Sequence, residues 1–513
     1  MVQAQHITIT QKKDNRVLIE DFSFVVNDGE KAALIGEEGN GKSTLLKWLY
    51  DPALVEPYAE VSGQKHITGV VGYLGQELTD VEQSLPVWEY LERICALSER
   101  SPRTVSQVVR RLDIPETLLW ESRPMRSLSG GERVKVRLCA LLLHECDVLL
   151  LDEPSNDLDL ATLTWLEGFL QRTPQTVLYV SHDETLLERT AEMILHIEQI
   201  RRKTIPRATA ARLPYRQYMD ERERRMAHQA QVAAFEQDAF RKKKERYLSI
   251  YNAVEHAQAS VSRQDPSTGR LLKKKMHTVQ AIGARLEKEQ AALTEAPEAE
   301  WAILPKFDEG VSLPAGKIVL DFALPKLTAG DRILSEDVRL HMAGPERVVI
   351  IGQNGCGKST LLKTIADALL PRRDLSVGYM PQDYDDLLDA AASPIAFLAP
   401  QGDKETVTKA RLYLGSMKYT TDEMTHSCAA LSGGQRAKLL LLKMILDGNN
   451  VLLLDEPTRN FSPLSNPAVR NLLRAFGGAI LAVSHDRMFL REVATRIVRM
   501  TPGGLVPVKE HEI

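Results

Sequence analysis

The chain has 513 residues, 43% of them hydrophobic and 26% charged, with a formal net charge of −4. This length exceeds one ordinary domain, and the composition suits soluble globular cores. The acidic balance excludes a protein that coats nucleic acid with its whole surface. Cys95, Cys139, Cys146, Cys356 and Cys428 form no Cys-x-x-Cys pair. That excludes a cysteine-ligated zinc or iron–sulfur site and fits a reducing cytosol. The longest apolar stretch, around Leu138–Leu151, is broken by His144, Glu145 and Asp147, and a membrane span needs about 20 apolar residues. With no signal-peptide core at the N-terminus, the expectation is a cytosolic chain without a membrane.

Taken in chain order, the first predicted strand that carries chemistry is Lys31–Ile35. It enters GEEGNGKST, which comprises Gly36, Glu37, Glu38, Gly39, Asn40, Gly41, Lys42, Ser43 and Thr44. Glycines in this pattern let backbone N–H groups cradle phosphate oxygens at a helix N-terminus. Lys42 is placed to reach the β- and γ-phosphates of ATP, and Ser43 to hold Mg²⁺. Downstream come GYLGQ with Gln76, LSGGE with Ser129, Gly130 and Gly131, VLLLDEP with Asp152 and Glu153, and VSHDE with His182. The short apolar run Val148–Leu151 reads as a buried parallel strand. It delivers Asp152 to the Mg²⁺ shell and Glu153 one residue further on, where a carboxylate can polarise the attacking water.

From about Pro214 to Ala296 the composition shifts to long polar helix formers. Phe240, Tyr247, Tyr251, Val254 and Val261 on one side of RQDPSTGR, and Leu272, Met276, Val279, Leu286 and Leu293 on the other, form two heptad-like seams. Asp265-Pro266 and Gly269 are turn formers, so the segment reads as a helical hairpin, an antiparallel coiled coil of roughly 30–35 Å. Basic residues gather near its tip, in the runs Arg241–Lys244 and Lys273–Lys275, with Arg246, Arg263 and Arg270 between them. Such a cluster favours a salt-sensitive polyanion contact over a merely solvated face.

The motifs then return. The strand Arg347–Ile351 enters GQNGCGKST, comprising Gly352, Gln353, Asn354, Gly355, Cys356, Gly357, Lys358, Ser359 and Thr360. GYMPQ brings Gln382, LSGGQ brings Ser432, Gly433 and Gly434, VLLLDEP brings Asp455 and Glu456, and VSHDR brings His485. Leu128 and Leu431, Val148 and Val451, and Val180 and Val483 are all separated by 303 positions, whereas Gly36 and Gly352 are separated by 316. The chain is therefore a duplicated α/β domain. Each histidine follows its aspartate by 30 residues in both copies, a recurrence that argues for function over structure.

Together these motifs resemble the ATP-binding cassette family, over nearly all of both repeats, and LSGGE and LSGGQ resemble its signature. The resemblance implies that two cassettes pair head to tail around two ATP molecules. Ser129 and Gly131 would cap the nucleotide of the second cassette, and Ser432 and Gly434 that of the first. Gln76 and Gln382 resemble the family's glutamine that senses Mg²⁺ and the γ-phosphate. After Glu456 the sequence PTRNFSP places Ser462 where Asp159 stands in the first copy, so unequal rates are expected at the two sites. No aromatic residue for stacking adenine is found around Lys12–Lys13 or Thr328–Ala329.

Tandem cassettes joined by a charged hairpin resemble the ABC-F family of translation factors, including its bacterial ribosome-protection subgroup. The implied organisation is a first cassette at 1–213, a hairpin at 214–296 with its tip at 261–275, and a second cassette at 297–513. The implied partners are the exit site of the 70S ribosome and, through the tip, tRNA and ribosomal RNA, with the chain a monomer whose cassettes pair internally. Gln76 follows Gly36 by 40 positions and Gln382 follows Gly352 by 30; the ten extra residues lie near Asp51–Thr68, where the resemblance implies a ribosome-facing arm, here a small one. A transporter subunit would leave the hairpin without a task. A DNA-maintenance ATPase would need a longer coiled coil or zinc-binding cysteines. A non-hydrolysing interaction protein would have no use for Glu153 and Glu456.

Overall fold

The computed structural model describes residues 1–200, 204–260, 266–294, 296–297, 307, 311–330, 332–384 and 387–509, with the backbone alone at 266–269. The chain divides into two compact units, Met1–Tyr215 with Glu300–Ile513, and Arg216–Ala299. Both cassettes thus lie in one unit.

The first cassette runs through β1 (Val2–Gln11), β2 (Val17–Val26), β3 (Lys31–Ile35), β4 (Ala59–Ile67), β5 (Val71–Leu74), β6 (Val148–Asp152), β7 (Thr176–Val180), β8 (Met193–Gln199) and β9 (Ile205–Ala211). The second has β10 (Ile318–Ala329), β11 (Arg332–Ala343), β12 (Arg347–Ile351), β13 (Val377–Met380), β14 (Val451–Asp455), β15 (Ala479–Val483), β16 (Arg496–Thr501) and β17 (Gly504–Val508). Two sheets of matching order result, β5-β6-β7-β3-β8-β9 and β13-β14-β15-β12-β16-β17. Every residue of β3, β6 and β7 is buried, as expected of parallel strands covered on both faces.

Pairing of β6 with β7 and of β3 with β7 sets Asp152 and Leu34 level with Val180. The carboxyl ends of three strands therefore emerge side by side, and ligands of open α/β sheets bind at such an edge. The second sheet repeats the register, with Asp455 and Ile350 level with Val483.

The ten extra residues of the first copy do not project as an arm. Asp51–Thr68 contains a short turn at Pro52–Leu54 and then β4, which pairs antiparallel with β1. It adds a third strand to a sheet of order β2-β1-β4, where the second cassette has the pair β10-β11 among the described residues. Backbone pairing along β1, with Val55 and Ala59 in the core, draws the segment onto the domain.

In the smaller unit, helices Tyr215–Ala259 and Pro266–Ala291 run antiparallel. Thr294 N–H donates to Glu236 at 2.7 Å, Lys243 pairs with Glu289, and a Cβ on Gly283 would lie 2.6 Å from the Tyr247 hydroxyl. Val279 and Phe240 are buried. The second helix begins at Pro266, inside the expected break, because proline suits the first helical turn. The expected tip residues Val261 and Arg263 lie outside the described residues.

This register separates the two basic runs. Lys243 sits level with Glu289, so Lys274 falls level with about residue 257, roughly 20 Å further along at 1.5 Å per residue. Arg241–Lys244 is therefore not at the tip, and three of its members are paired, Arg241 and Lys242 with Asp238 and Lys243 with Glu289. Arg270 and Lys273–Lys275 are exposed.

Two composite phosphate sites

Each phosphate loop leaves its strand and enters a helix directly, Lys42–Tyr50 after β3 and Lys358–Leu369 after β12. Gly41 and Gly357 cap these helices in the left-handed region, at φ 92° and 102°. A Cβ on either would press on Leu18 or Leu334, so glycine is required by both conformation and space. Lys42 Nζ donates to the Gly36 and Glu37 carbonyls at 2.8 and 3.0 Å, and Lys358 Nζ to those of Gly352 and Gln353 at 3.0 and 2.9 Å. Both ammonium groups are thus held over the centre of their loops.

The strand ends supply the carboxylates. Ser43 Oγ donates to Asp152 at 2.9 Å, and Ser359 hydrogen-bonds Asp455. Burial raises the pKa of both aspartates, and the serine hydroxyls oppose the shift. Asp455 Oδ1 is buried without a hydrogen-bond partner among the described residues. A hydroxyl and a carboxylate with an open lone pair, at the phosphate end of a sheet, suit a hard cation such as Mg²⁺. Glu153 and Glu456 follow in left-handed backbone, φ 54° and 49°. This costly conformation for a non-glycine residue recurs in both copies and turns each carboxylate away from the strand direction.

The surroundings of these two glutamates differ. His182 Nε2 is 2.8 Å from Glu153, and its Nδ1 is 2.8 Å from the Phe461 carbonyl of the other cassette. Burial disfavours both charges, but each compensates the other, so the pKa of Glu153 falls and that of His182 rises. His485 lies 3.9 Å from Glu456, and neither of its ring nitrogens has a hydrogen-bond partner among the described residues. Burial and then Asp455 push Glu456 up to about 8, while burial and then Lys358 push His485 down to about 4.

The cassettes complete one another's sites. Around Lys358, a cavity of about 700 Å³ brings together Asn354, Gly355, Gly357, Ser359, Thr360, Gln382, Asp455, Glu456 and His485 with Gly130, Asp157 and His182 of the first cassette. That volume falls in the range of small-ligand pockets. Around the first loop the cavity is about 50 Å³, lined by Glu37, Glu38, Asn40, Ser432 and Gly434. Here Gly434 N–H donates to Glu38 at 2.7 Å, Ser462 Oγ donates to Glu37 at 2.7 Å, Ser465 also bonds Glu37, and Lys438 lies 3.5 Å from it. Burial acts against ionisation of Glu37, but Lys438 and the two hydroxyls outweigh it and lower its pKa.

The signature serines begin helices Gly130–Leu143 and Gly433–Leu446 with reciprocal caps, Ser129 with Glu132 and Ser432 with Gln435. Gly131 packs on Thr162, and Gly433 faces Asn460. Gly36, Gly39, Gly352, Gln353 and Cys356 complete the loops; Thr44 lies one residue past Ser43 in its helix. Gln382 lines the larger cavity, whereas Gln76 is exposed just after β5.

Four contributors escape motif reading. Tyr73 donates its phenol hydrogen to Asp152 at 3.2 Å. Arg459 pairs with Asp157 at 2.6 Å across the cassettes. Arg16 donates to the Gly39 carbonyl at 3.1 Å, and Arg332, 316 positions later, lines the larger cavity. The shared spacing is the sequence signal for the two arginines.

Fold and site define a phosphate-loop ATPase with paired nucleotide cassettes. Residues 19–156 and 335–459 match the ABC transporter family. The probable ATP-binding protein YheS of Escherichia coli K12 is 29% identical over 93% of this chain and 75% of its own length. Human ATP-binding cassette sub-family F member 3 is 26% identical over 96% of this chain and 71% of its own. Among solved structures, an archaeal ribosome recycling factor, aABCE1, in complex with the stalk protein aP1 has a TM-score of 0.58 at 17% identity, covering 99% of this chain and 90% of that one. The chain belongs to the ABC transporter family and is an ATPase of its ABC-F branch. No helix among the described residues is long and apolar enough to cross a membrane.

Proposed function

We propose that the chain binds ATP and Mg²⁺ at both composite sites and couples hydrolysis to binding and release of the ribosome, as a translation factor or a ribosome-protection protein against antibiotics. The observation that carries this reading is the reach of each signature motif to the phosphate loop of the other cassette, Gly434 to Glu38 and Gly130 to the cavity around Lys358. Lys42 and Lys358 turn from loop carbonyls to the β- and γ-phosphates. Ser43, Asp152 and Gln76, and Ser359, Asp455 and Gln382, hold Mg²⁺, which neutralises phosphate charge when bound. Glu153 and Glu456 orient the attacking water, and His182 and His485 hold the γ-phosphate end of each site.

ATP favours the closed pair and hydrolysis reopens it, so the two states differ in affinity for the partner. The ribosome is that partner on three grounds: the ABC-F relatives, the recycling factor of like fold, and the exposed Arg270 and Lys273–Lys275 beside the hairpin tip. The tip, 261–275, would meet tRNA and ribosomal RNA near the exit site through phosphate and shape contacts. The test is co-sedimentation of the Glu153→Gln/Glu456→Gln protein with 70S ribosomes. ATP-dependent pelleting supports the reading, and pelleting no better than wild type with ATP overturns it.

A further inference from the structure

Behind the phosphate sites, helices Leu160–Arg172 and Glu184–Thr190 of the first cassette meet Asn466–Arg474 and Arg487–Glu492 of the second. The repeat spacing of 303 equates Glu167 with Arg470, Glu184 with Arg487, and Arg189 with Glu492. All three positions have opposite charge in the two copies. The equivalence is structural as well, since Leu166 and Leu170 are buried as Val469 and Leu473 are, and Leu186 and Leu187 as Phe489 and Leu490 are.

The charges form a mirrored set. Within each cassette two of them pair, Arg189 with Glu167 at 2.7 Å and Arg470 with Glu492 at 2.8 Å. Across the interface Arg470 grips Glu184 with two bonds of 2.6 and 3.1 Å, and Arg487 reaches Glu167 and, at 3.2 Å, Asp183. Glu167, Arg470 and Arg487 are all buried. Asp183 and Asp486 share one sign, and each caps its own helix.

We propose that this inverted set is an address by which a first cassette accepts only a second-type cassette as its partner. Two like cassettes meeting about the same axis would set Glu184 against Glu167, or Arg470 against Arg487. Each pair would then set a buried charge against its own sign, a strongly unfavourable arrangement. The surface therefore fits the other half of the chain and rejects a symmetric assembly of two chains through identical cassettes.

Half-inverted chains test the address. The triple variant Glu167→Arg/Glu184→Arg/Arg189→Glu gives both cassettes second-type signs, and Arg470→Glu/Arg487→Glu/Glu492→Arg gives both first-type signs. Each keeps the ion pair within every cassette, and the chain with all six substitutions shows whether the exchanged side chains are compatible with folding. Each alone should run as a monomer by light scattering and hydrolyse ATP at least about tenfold more slowly than wild type. An equimolar mixture should form dimers and regain activity, and the chain with all six substitutions should regain it alone. Wild-type hydrolysis by either half-inverted chain, or no recovery with six substitutions, overturns the address. The activity readout rests on the proposed ATPase sites. If wild type itself hydrolysed no ATP, that reading would fail, while the mass of the mixture would still decide the address.

Discussion

His182 Nε2 lies 2.8 Å from Glu153, whereas the equivalent His485 stands 3.9 Å from Glu456 with neither ring nitrogen hydrogen-bonded among the described residues. A ring whose Nε2 faces a carboxylate and whose Nδ1 faces a carbonyl must donate at both, and only imidazolium can. The repeat places the same glutamate and histidine in both sites, but their contacts draw the His182 pKa up and the His485 pKa down.

Titration of histidines in ¹⁵N-labelled protein should show this directly. His182 should keep its proton to higher pH than an ordinary histidine, while His485 should titrate near 4. In Glu153→Gln the His182 pKa should fall. For stability, the raised His182 contributes below its unfolded pKa and loses that contribution as pH rises through its folded value. The lowered Glu153 contributes above its unfolded pKa and loses it as pH falls. The pair therefore steadies the first site only between the two. Identical titration of the two histidines would contradict this account.

Glu37 and Glu38 hold the first loop against the second cassette through Gly434 of its signature and through Ser462, Ser465 and Lys438. A terminal phosphate must expel the Glu38 carboxylate from the Gly434 N–H, whereas the cavity around Lys358 is already open. In protein carrying Lys358→Ala to disable the second site and Glu153→Gln to block turnover, Glu38→Gln should tighten ATP binding about tenfold, the scale of a charged hydrogen bond. Calorimetry with ATP and ADP would check it, with ADP binding little changed.

Tyr73 steadies Asp152 by one hydrogen bond. Tyr73→Phe should cost about 1 kcal/mol of stability and weaken the Mg²⁺ dependence of hydrolysis at the first site by about tenfold, as loss of outer partners of metal ligands does. Thermal unfolding and Mg²⁺ titration of hydrolysis in the Lys358→Ala background measure both effects.

The register of the hairpin makes the basic runs unequal. On the proposed ribosome function, reversing the exposed Lys273, Lys274 and Lys275 to Glu should weaken ribosome binding and flatten its dependence on salt. Reversing Arg241, Lys242 and Lys243, which have acidic partners, should change ribosome binding less. Co-sedimentation across a salt series compares them.

Much of this was legible in sequence because parallel strands and phosphate loops are local patterns. Lys31–Ile35 and Arg347–Ile351 are strands as expected, and Asp152 and Asp455 end theirs. The hairpin's two helices were also readable from apolar spacing, but the level of Lys243 was not, since register depends on which residues meet. Long-range contacts were hidden for the same reason. Tyr73 reaches Asp152 because β5 and β6 are neighbours, and Ser462 turns to Glu37 only in the paired cassettes. The segment Asp51–Thr68 carries a strand whose partner, β1, lies some fifty residues earlier, so family likeness suggested an arm where pairing makes a sheet.

The central claim is that each phosphate loop is completed by the signature of the other cassette. Its most direct test is the number of ATP molecules retained by Glu153→Gln/Glu456→Gln protein when one loop lysine and the Ser129 signature are disabled together. With Lys358→Ala and Ser129→Arg both lesions fall on one site, and one ATP should remain bound. With Lys42→Ala and Ser129→Arg they fall on different sites, and none should remain. The reverse result, one ATP in the second combination and none in the first, would mean that each signature serves its own cassette and would contradict the account.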